Sequence, residues 1–305
     1  MSRSRVPRSR ILVGGNEVQS RGAVPELVLG TAQLVQAYGI AGNETPRTPA
    51  EAAALLRRSR ELGIRRLDTA AAYGKAERTI GDSGLPFLID TKVARGINPA
   101  RSLEHSLERL RMDSVQVLYL HDPSCLHEAG RETIELAAAT IGRGTEQIGV
   151  SVYEPAEVES ALQDGSIGAV QFPASLLDRR TTDALLDTPT ATGVDLFVRS
   201  VFLQGAVLAP PAHVDRSVPG LGRYVEAVQR AAQELDRSAH ELALQWTRSL
   251  PGISGVIVGA DSEAQLEQLV AAWNAPPLQD GELRLVDRLP TPPPELVDPR
   301  AWRPR

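Results

Sequence analysis

The chain has 305 residues, of which 42% are hydrophobic and 23% charged, with a net charge of −5. This size and composition suit one large α/β barrel or two smaller soluble domains, and no overall basic field exists to hold nucleic acid or an anionic membrane. A single cysteine, Cys125, excludes an internal disulfide framework and a multi-cysteine metal site; with no long apolar span and no secretory leader pattern, the expectation is a cytoplasmic protein.

The basic residues are unevenly divided into 31 arginines and two lysines, Lys75 and Lys92. A chain that serves its surface with arginine has little need of lysine, so a retained lysine is a candidate for chemistry.

Residues 1–10, MSRSRVPRSR, carry four arginines and read as a loosely attached arm, followed by a short hairpin signal in ILVGGNEV. Together they make an N-terminal segment over residues 1–26. From residue 27 onward, short apolar runs rich in β-branched residues alternate with longer segments of helical periodicity, the rhythm of repeated βα units. The runs predict strands near Leu27–Leu29, Arg66–Asp68, Phe87–Thr91, Ser114–Leu120, Gln147–Val150, Ala169–Gln171, Asp195–Val198 and Gly255–Val258.

Helix signals fall between the strands. TPAEAAALLRRSRELG opens on Thr48 with Glu51 three residues later, a capping box. NPARSLEHSLERL has Asn98 as N-cap and Pro99 at the first helical position. SEAQLEQLVAAW is capped by Asp261 or Ser262. Eight strands with intervening helices predict a single-domain (β/α)8 TIM barrel over residues 27–275. No GxGxxG follows the first strand to favour a doubly wound sheet. The segment 276–305, with LPTPPPELVDPRAWRPR, is too rich in proline for regular structure and is expected to drape over the barrel mouth.

The polar residues that need explaining stand at the carboxyl ends of these strands. Asp68 ends the second, with Tyr73 in the following loop; Lys92 ends the third and His121 the fourth. Ser151, Gln171 and Ser200 follow the fifth to seventh, and Gly259 and Ala260 the eighth. In a barrel of this kind that rim carries the active site. Taken singly, each residue has an ordinary structural explanation: a cap, a packing phenol, a solvated lysine, a core histidine. Together they make a proton-transfer set. A phenol gives up its proton reluctantly at neutral pH; a nearby ammonium eases that release, and a carboxylate keeps the ammonium charged and placed.

LDTAAAYGKAE (Leu67–Glu77), the Thr91–Lys92 pair and LYLHDP (Leu118–Pro123) closely resemble the aldo-keto reductase family. Successive motif residues lie 5, 19 and 29 positions apart from Asp68 through Tyr73 and Lys92 to His121. The resemblance runs on through LVLGTAQL, GVSVYEP, VQFPASLLDRR, RSVFLQG and VIVGADSEAQLEQ, over roughly residues 27–272. It implies NAD(P)H-dependent carbonyl reduction, with Tyr73 as general acid, Lys92 and Asp68 tuning it, and His121 positioning the substrate. It also implies cofactor contacts at Ser151, Gln171, Ser200, Gln204, Gly205, Gly259, Ala260, Ser262 and Gln265. No HxH or HExxH spacing points to a metal.

The sequence departs from the family pattern in places. Ser175 stands where the family usually has asparagine beside the carboxamide. Gly259 and Gln265 stand where relatives often place a cation for the ribose 2′-phosphate, Asp261 and Glu263 lie close by, and Leu269 replaces a frequent asparagine. NADPH remains the implied cofactor, with NADH as the alternative.

The other candidates carry weaker signals. His105 sits in a helix between Glu104 and Glu108, and Cys125 has no histidine pairing that would make it a nucleophile. His127, His213 and Trp302 could reach the substrate pocket. The leading reading is a reductase of an aldehyde or ketone, sugar-like or a biosynthetic intermediate. The alternatives are a non-catalytic nicotinamide-nucleotide-binding barrel that regulates a partner, and a dehydratase or epimerase using the same site. Oligomeric state is left open.

Overall fold

The computed structural model describes residues 25–36, 39–40, 47–186 and 193–302. The expected arm and hairpin of the first 24 residues lie outside the described residues. Strands β1 (Glu26–Gly30), β2 (Arg66–Asp68), β3 (Leu88–Val93), β4 (Val115–Leu120), β5 (Thr145–Ser151), β6 (Ala169–Pro173), β7 (Asp195–Arg199) and β8 (Ile253–Val258) pair in parallel in sequence order. β8 returns to β1 through Glu26–Gly255 to Leu29–Val258, so the sheet is a closed eight-stranded barrel. All eight expected strands are present, with ends within two residues of those read from the sequence.

The closure follows from the sequence. Runs such as VQVLYL are buried on both faces, as parallel strands sandwiched between a filled lumen and an outer helical layer require. Val28, Val117, Tyr119, Ala169, Phe197 and Ile257 pack together inside the barrel. A larger apolar cluster lies between the strands and the surrounding helices. The helix starts also match their signals. Pro49–Glu61 begins with the Thr48–Glu51 capping box, Pro99–Leu110 begins at Asn98, and Glu263–Trp273 is capped by Ser262 rather than Asp261. Among the described residues, no helix is long and apolar enough to cross a membrane.

The C-terminal segment corrects one expectation. It forms regular helices at Asp280–Asp287 and Pro294–Val297, because Gln279 and Glu282 build a capping box and Pro294 takes the first helical position, where a missing N–H costs nothing. The buried Arg179 guanidinium fastens this segment to the barrel, donating to the carbonyls of Val286 (3.1 Å) and Leu289 (3.2 Å).

One polar cluster penetrates the lumen. Arg66 on β2 makes a two-pronged contact with Asp90 on β3 (2.8 and 2.9 Å), reaches Glu26 on β1 (2.8 Å), and lies 4.6 Å from the Phe197 ring centroid. Burial pushes the Asp90 carboxyl up to about 6, against the pull of Arg66. Removing one partner of a buried pair leaves the other desolvated and uncompensated. Asp90→Ala is therefore expected to lower stability by about 3–5 kcal/mol in urea unfolding at pH 7. A loss below about 1 kcal/mol would show that Glu26 alone neutralises Arg66.

Candidate active site

Parallel pairing sets the strand ends on one rim. Asp68 ends β2 beside Gly30 of β1, and Lys92 is the penultimate residue of β3, opposite Tyr119 on β4. His121 directly follows β4, its backbone N–H donating to the Val93 carbonyl (3.0 Å). Tyr73 sits in the turn after β2, held at both sides: its N–H donates to Ala70, and its carbonyl accepts from Ala76.

The four side chains converge. Lys92 is 1% exposed and donates from Nζ to Asp68 Oδ1 (2.6 Å) and to the Thr69 carbonyl (2.9 Å). The same Asp68 oxygen accepts from Gln171 Nε2 on β6, 2.8 Å away. Lys92 Nζ lies 5.3 Å from the Tyr73 ring centroid, and the Tyr73 and His121 rings meet edge to face at 6.1 Å. Burial opposes the charge on Lys92, but Asp68 and the Tyr73 oxygen outweigh it and hold the ammonium above its ordinary range. His121 goes the other way. Burial and the Lys92 and Arg199 charges push its imidazole down to about 4, so it is neutral at physiological pH and can present either a donor or an acceptor.

A cavity of about 650 Å³ opens on Asp68 and Tyr73 of this set, whereas Lys92 and His121 do not line it. Asp68, Tyr73, Gln171, Ser200, Gln204, Gly205, Gly259 and Gln265 line it. Three of the expected cofactor residues lie outside that lining. Ser151 and Ala260 are buried, and Ser262 is exposed, its hydroxyl accepting from the Gln265 N–H (3.1 Å) as a helix cap. Ser175 is likewise engaged by the chain, accepting from the N–H groups of Leu177 and Asp178.

The loop after β7 is unusual. Ser200, Leu203 and Gln204 all hold left-handed backbone, with φ of 62°, 46° and 52°. Such conformations cost non-glycine residues energy and cluster where the surrounding structure enforces them. Here the loop after β1 packs directly on the strained segment: the Ile40 N–H donates to the Gln204 carbonyl (3.0 Å). A Cβ on Gly39, itself at φ 87°, would fall 2.6 Å from that oxygen.

Sequence reading missed three further cavity features. Gln33 crosses from the loop after β1, donating to Asp261 Oδ1 (3.0 Å) in the loop after β8, and it lies so close over Gly259 that a side chain there would collide with its amide. Arg47 pairs with the same Asp261 oxygen (3.2 Å) and donates to the Gln33 carbonyl. Arg199, the last residue of β7, lines the cavity beside Ser200. Gln33 and Arg199 lie within the LVLGTAQL and RSVFLQG segments and Arg47 lies outside any motif, but only the convergence of distant loops exposes what they contact. His213 lines the cavity as expected, whereas Trp302 lines no part of it; its indole N–H donates to the Leu296 carbonyl (3.2 Å). Cys125 is buried, with its thiol pushed up to about 12 by burial, so it is not a nucleophile at neutral pH.

The sequence profile of the Aldo/keto reductase family matches residues 26–290. The chain belongs to this family. It is accordingly an NAD(P)H-dependent oxidoreductase. It is 24% identical to the uncharacterized oxidoreductase YqkF of Bacillus subtilis, over 84% of this chain and 93% of that protein. It is also 24% identical to pyridoxal 4-dehydrogenase of Microbacterium luteolum, over 81% and 89% of the two chains. Among solved structures, the holo form of aldo-keto reductase AKR11C1 from Bacillus halodurans superposes with a TM-score of 0.71. That match covers 87% of this chain and 91% of that one at 24% identity, and it shows the shared barrel.

The depressed His121 imidazole makes stability depend on pH. The unfolded imidazole takes up its proton near 6.5 and the folded one only near 4, so the unfolded state binds more protons between those values. Stability therefore falls as pH drops through that window, by roughly 3 kcal/mol from this one group. Urea unfolding of wild type and His121→Asn at pH 7 and pH 4 reads this directly: the variant should lose less stability than wild type by that amount. An equal loss in both proteins would mean that the folded imidazole titrates normally.

Proposed function

We propose that this chain is a carbonyl reductase in which Tyr73 protonates the oxygen of an aldehyde or ketone held in the 650 Å³ cavity. The observation that carries this reading is the buried Lys92–Asp68 pair beside the Tyr73 ring. An ammonium held charged at 5.3 Å stabilises the phenolate left behind when Tyr73 gives up its proton. Neutral His121, edge-on to Tyr73, donates a hydrogen bond to the same carbonyl oxygen and fixes its direction. Asp68 keeps Lys92 in place through a 2.6 Å contact and is itself fixed by Gln171.

The residues present fit a nicotinamide nucleotide. The cavity is long enough to span from Tyr73 to the loop after β8, and its wall offers the polar groups of Gln171, Ser200, Gln204, Gly205, Gly259 and Gln265. When bound, the reduced cofactor supplies the two electrons that the carbonyl carbon accepts. We favour NADPH, with NADH as the second choice: Asp261 in the wall disfavours an extra phosphate, and Arg47, 3.2 Å from it, offsets that charge. The substrate is a small carbonyl compound, sugar-like or a biosynthetic intermediate, and the setting is cytoplasmic. A nucleotide-binding regulatory role is the second reading, since the chain is also 25% identical to a probable voltage-gated potassium channel β subunit of Oryza sativa.

Titration of the protein with NADPH and NADH, followed by absorbance assays on a panel of aldehydes and sugar ketones, separates these readings. Cofactor binding with turnover supports the reductase; binding without turnover of any carbonyl supports the regulatory barrel. Tyr73→Phe is expected to leave the NADPH dissociation constant nearly unchanged while lowering kcat by about a hundredfold or more. Full activity in that variant would remove Tyr73 as the acid.

A further inference from the structure

One cation in the cavity wall has no carboxylate partner among the described residues. The guanidinium of Arg199 donates from Nη2 to the Val152 carbonyl (2.9 Å) and from Nη1 to Ser200 Oγ (3.4 Å), and lies 4.3 Å from the Tyr153 ring centroid. All three partners are neutral. Its neighbours pair with one another: Lys92 with Asp68, Arg47 with Asp261, and Arg180 and Arg300 with the three carboxylates of Asp178, Glu154 and Asp298. Among the described residues, no carboxylate lies within ion-pair distance of Arg199. A half-buried cation forgoes part of its hydration, and a chain that pairs the arginines around it leaves this one for something else.

Its position suggests what that is. A side chamber of about 260 Å³ adjoins the main cavity, between Tyr153 and the C-terminal residues Asp298 and Arg300. Arg199, Ser200 and Gln204 line both spaces, so the guanidinium stands in their common wall. Its field reaches the reaction centre, where it helps to keep His121 unprotonated. An arginine has five N–H donors in a planar fork, and two are engaged here, which leaves a set suited to a carboxylate or a phosphate.

We propose that Arg199 binds the anionic group, a carboxylate or phosphate, of the carbonyl substrate, with that end of the molecule in the side chamber and its carbonyl toward Tyr73. This rests on the reductase reading of Tyr73. The cofactor's pyrophosphate is the other anion able to reach this cation, and the experiment is arranged to tell the two apart.

Wild type, Arg199→Gln and Arg199→Lys are compared on 4-carboxybenzaldehyde and its methyl ester at saturating NADPH, with the NADPH dissociation constant measured by fluorescence for each protein. Wild type should favour the free acid by about tenfold or more in kcat/KM, mainly through KM, since a charge-assisted hydrogen bond in a partly shielded site is worth that much. In Arg199→Gln the ratio should fall to near one, and Arg199→Lys should restore part of it. An unchanged ratio overturns the proposal. So does a tenfold weaker NADPH affinity without a change in ratio, which would assign Arg199 to the pyrophosphate. If neither aldehyde is reduced, the reductase reading fails by itself, and calorimetry with 4-carboxybenzyl alcohol then decides this inference. Binding about tenfold weaker in Arg199→Gln than in wild type upholds it, and equal binding ends it.

Discussion

The buried contact between Lys92 and Asp68 is the constraint around which the rim of the barrel is organised. An ammonium that is 1% exposed is held in the folded state only by a partner close enough to repay its lost hydration, and Asp68 at 2.6 Å is that partner. The carboxylate in turn draws in Gln171 from across the barrel, so one oxygen ties β2, β3 and β6 together at the level of the cavity floor. Removing any of the three would leave a buried polar group without its match. The pair thus couples the stability of the barrel mouth to the chemistry proposed for Tyr73, which stands against the same ammonium.

Electrostatics elsewhere in the lumen repeat the pattern at a different depth. Arg66 joins Asp90 and Glu26 across three neighbouring strands, again pairing a buried cation with acids from adjacent positions in the register. The two clusters differ in access. The Arg66 group is closed off by Phe197 and Tyr119, whereas Asp68 faces the cavity. A buried ion pair becomes available for chemistry only where the fold leaves a path to it.

Loops then shape what that path admits. The strained backbone at Ser200, Leu203 and Gln204 is braced by the loop after β1, and the same loop sends Gln33 over Gly259 to meet Asp261. Arg47 completes this crossing, and the C-terminal helices close the other side through Arg179 and Arg300. The cavity is bounded by segments remote from each other in sequence, and that assembly leaves Arg199 without a carboxylate partner among the described residues.

Much of this was legible beforehand. The apolar rhythm gave eight strands to within two residues, and the caps at Thr48, Asn98 and Ser262 gave three helix starts, because periodicity and N-caps are local properties. The motif residues Asp68, Tyr73, Lys92 and His121 were legible too, and the scarcity of lysine narrowed the candidates to Lys75 and Lys92, of which only Lys92 ends a strand. The sequence did not reveal that the segment after residue 276 folds into helices; proline count suggested irregularity, which the Gln279–Glu282 capping box and Pro294's place at a first helical turn reverse. Nor could it show that Gln171 serves Asp68, that Ser175 and Ser262 spend their hydroxyls on local caps, or that Arg47 answers Asp261. The sequence determined the barrel, its strand ends and the motif residues proposed for proton transfer, since periodicity, caps and motifs are all read along the chain. Tertiary structure alone decided which polar groups are spent on one another and which remain for a ligand, because hydrogen bonds and ion pairs are settled by distances between loops that the chain order does not contain.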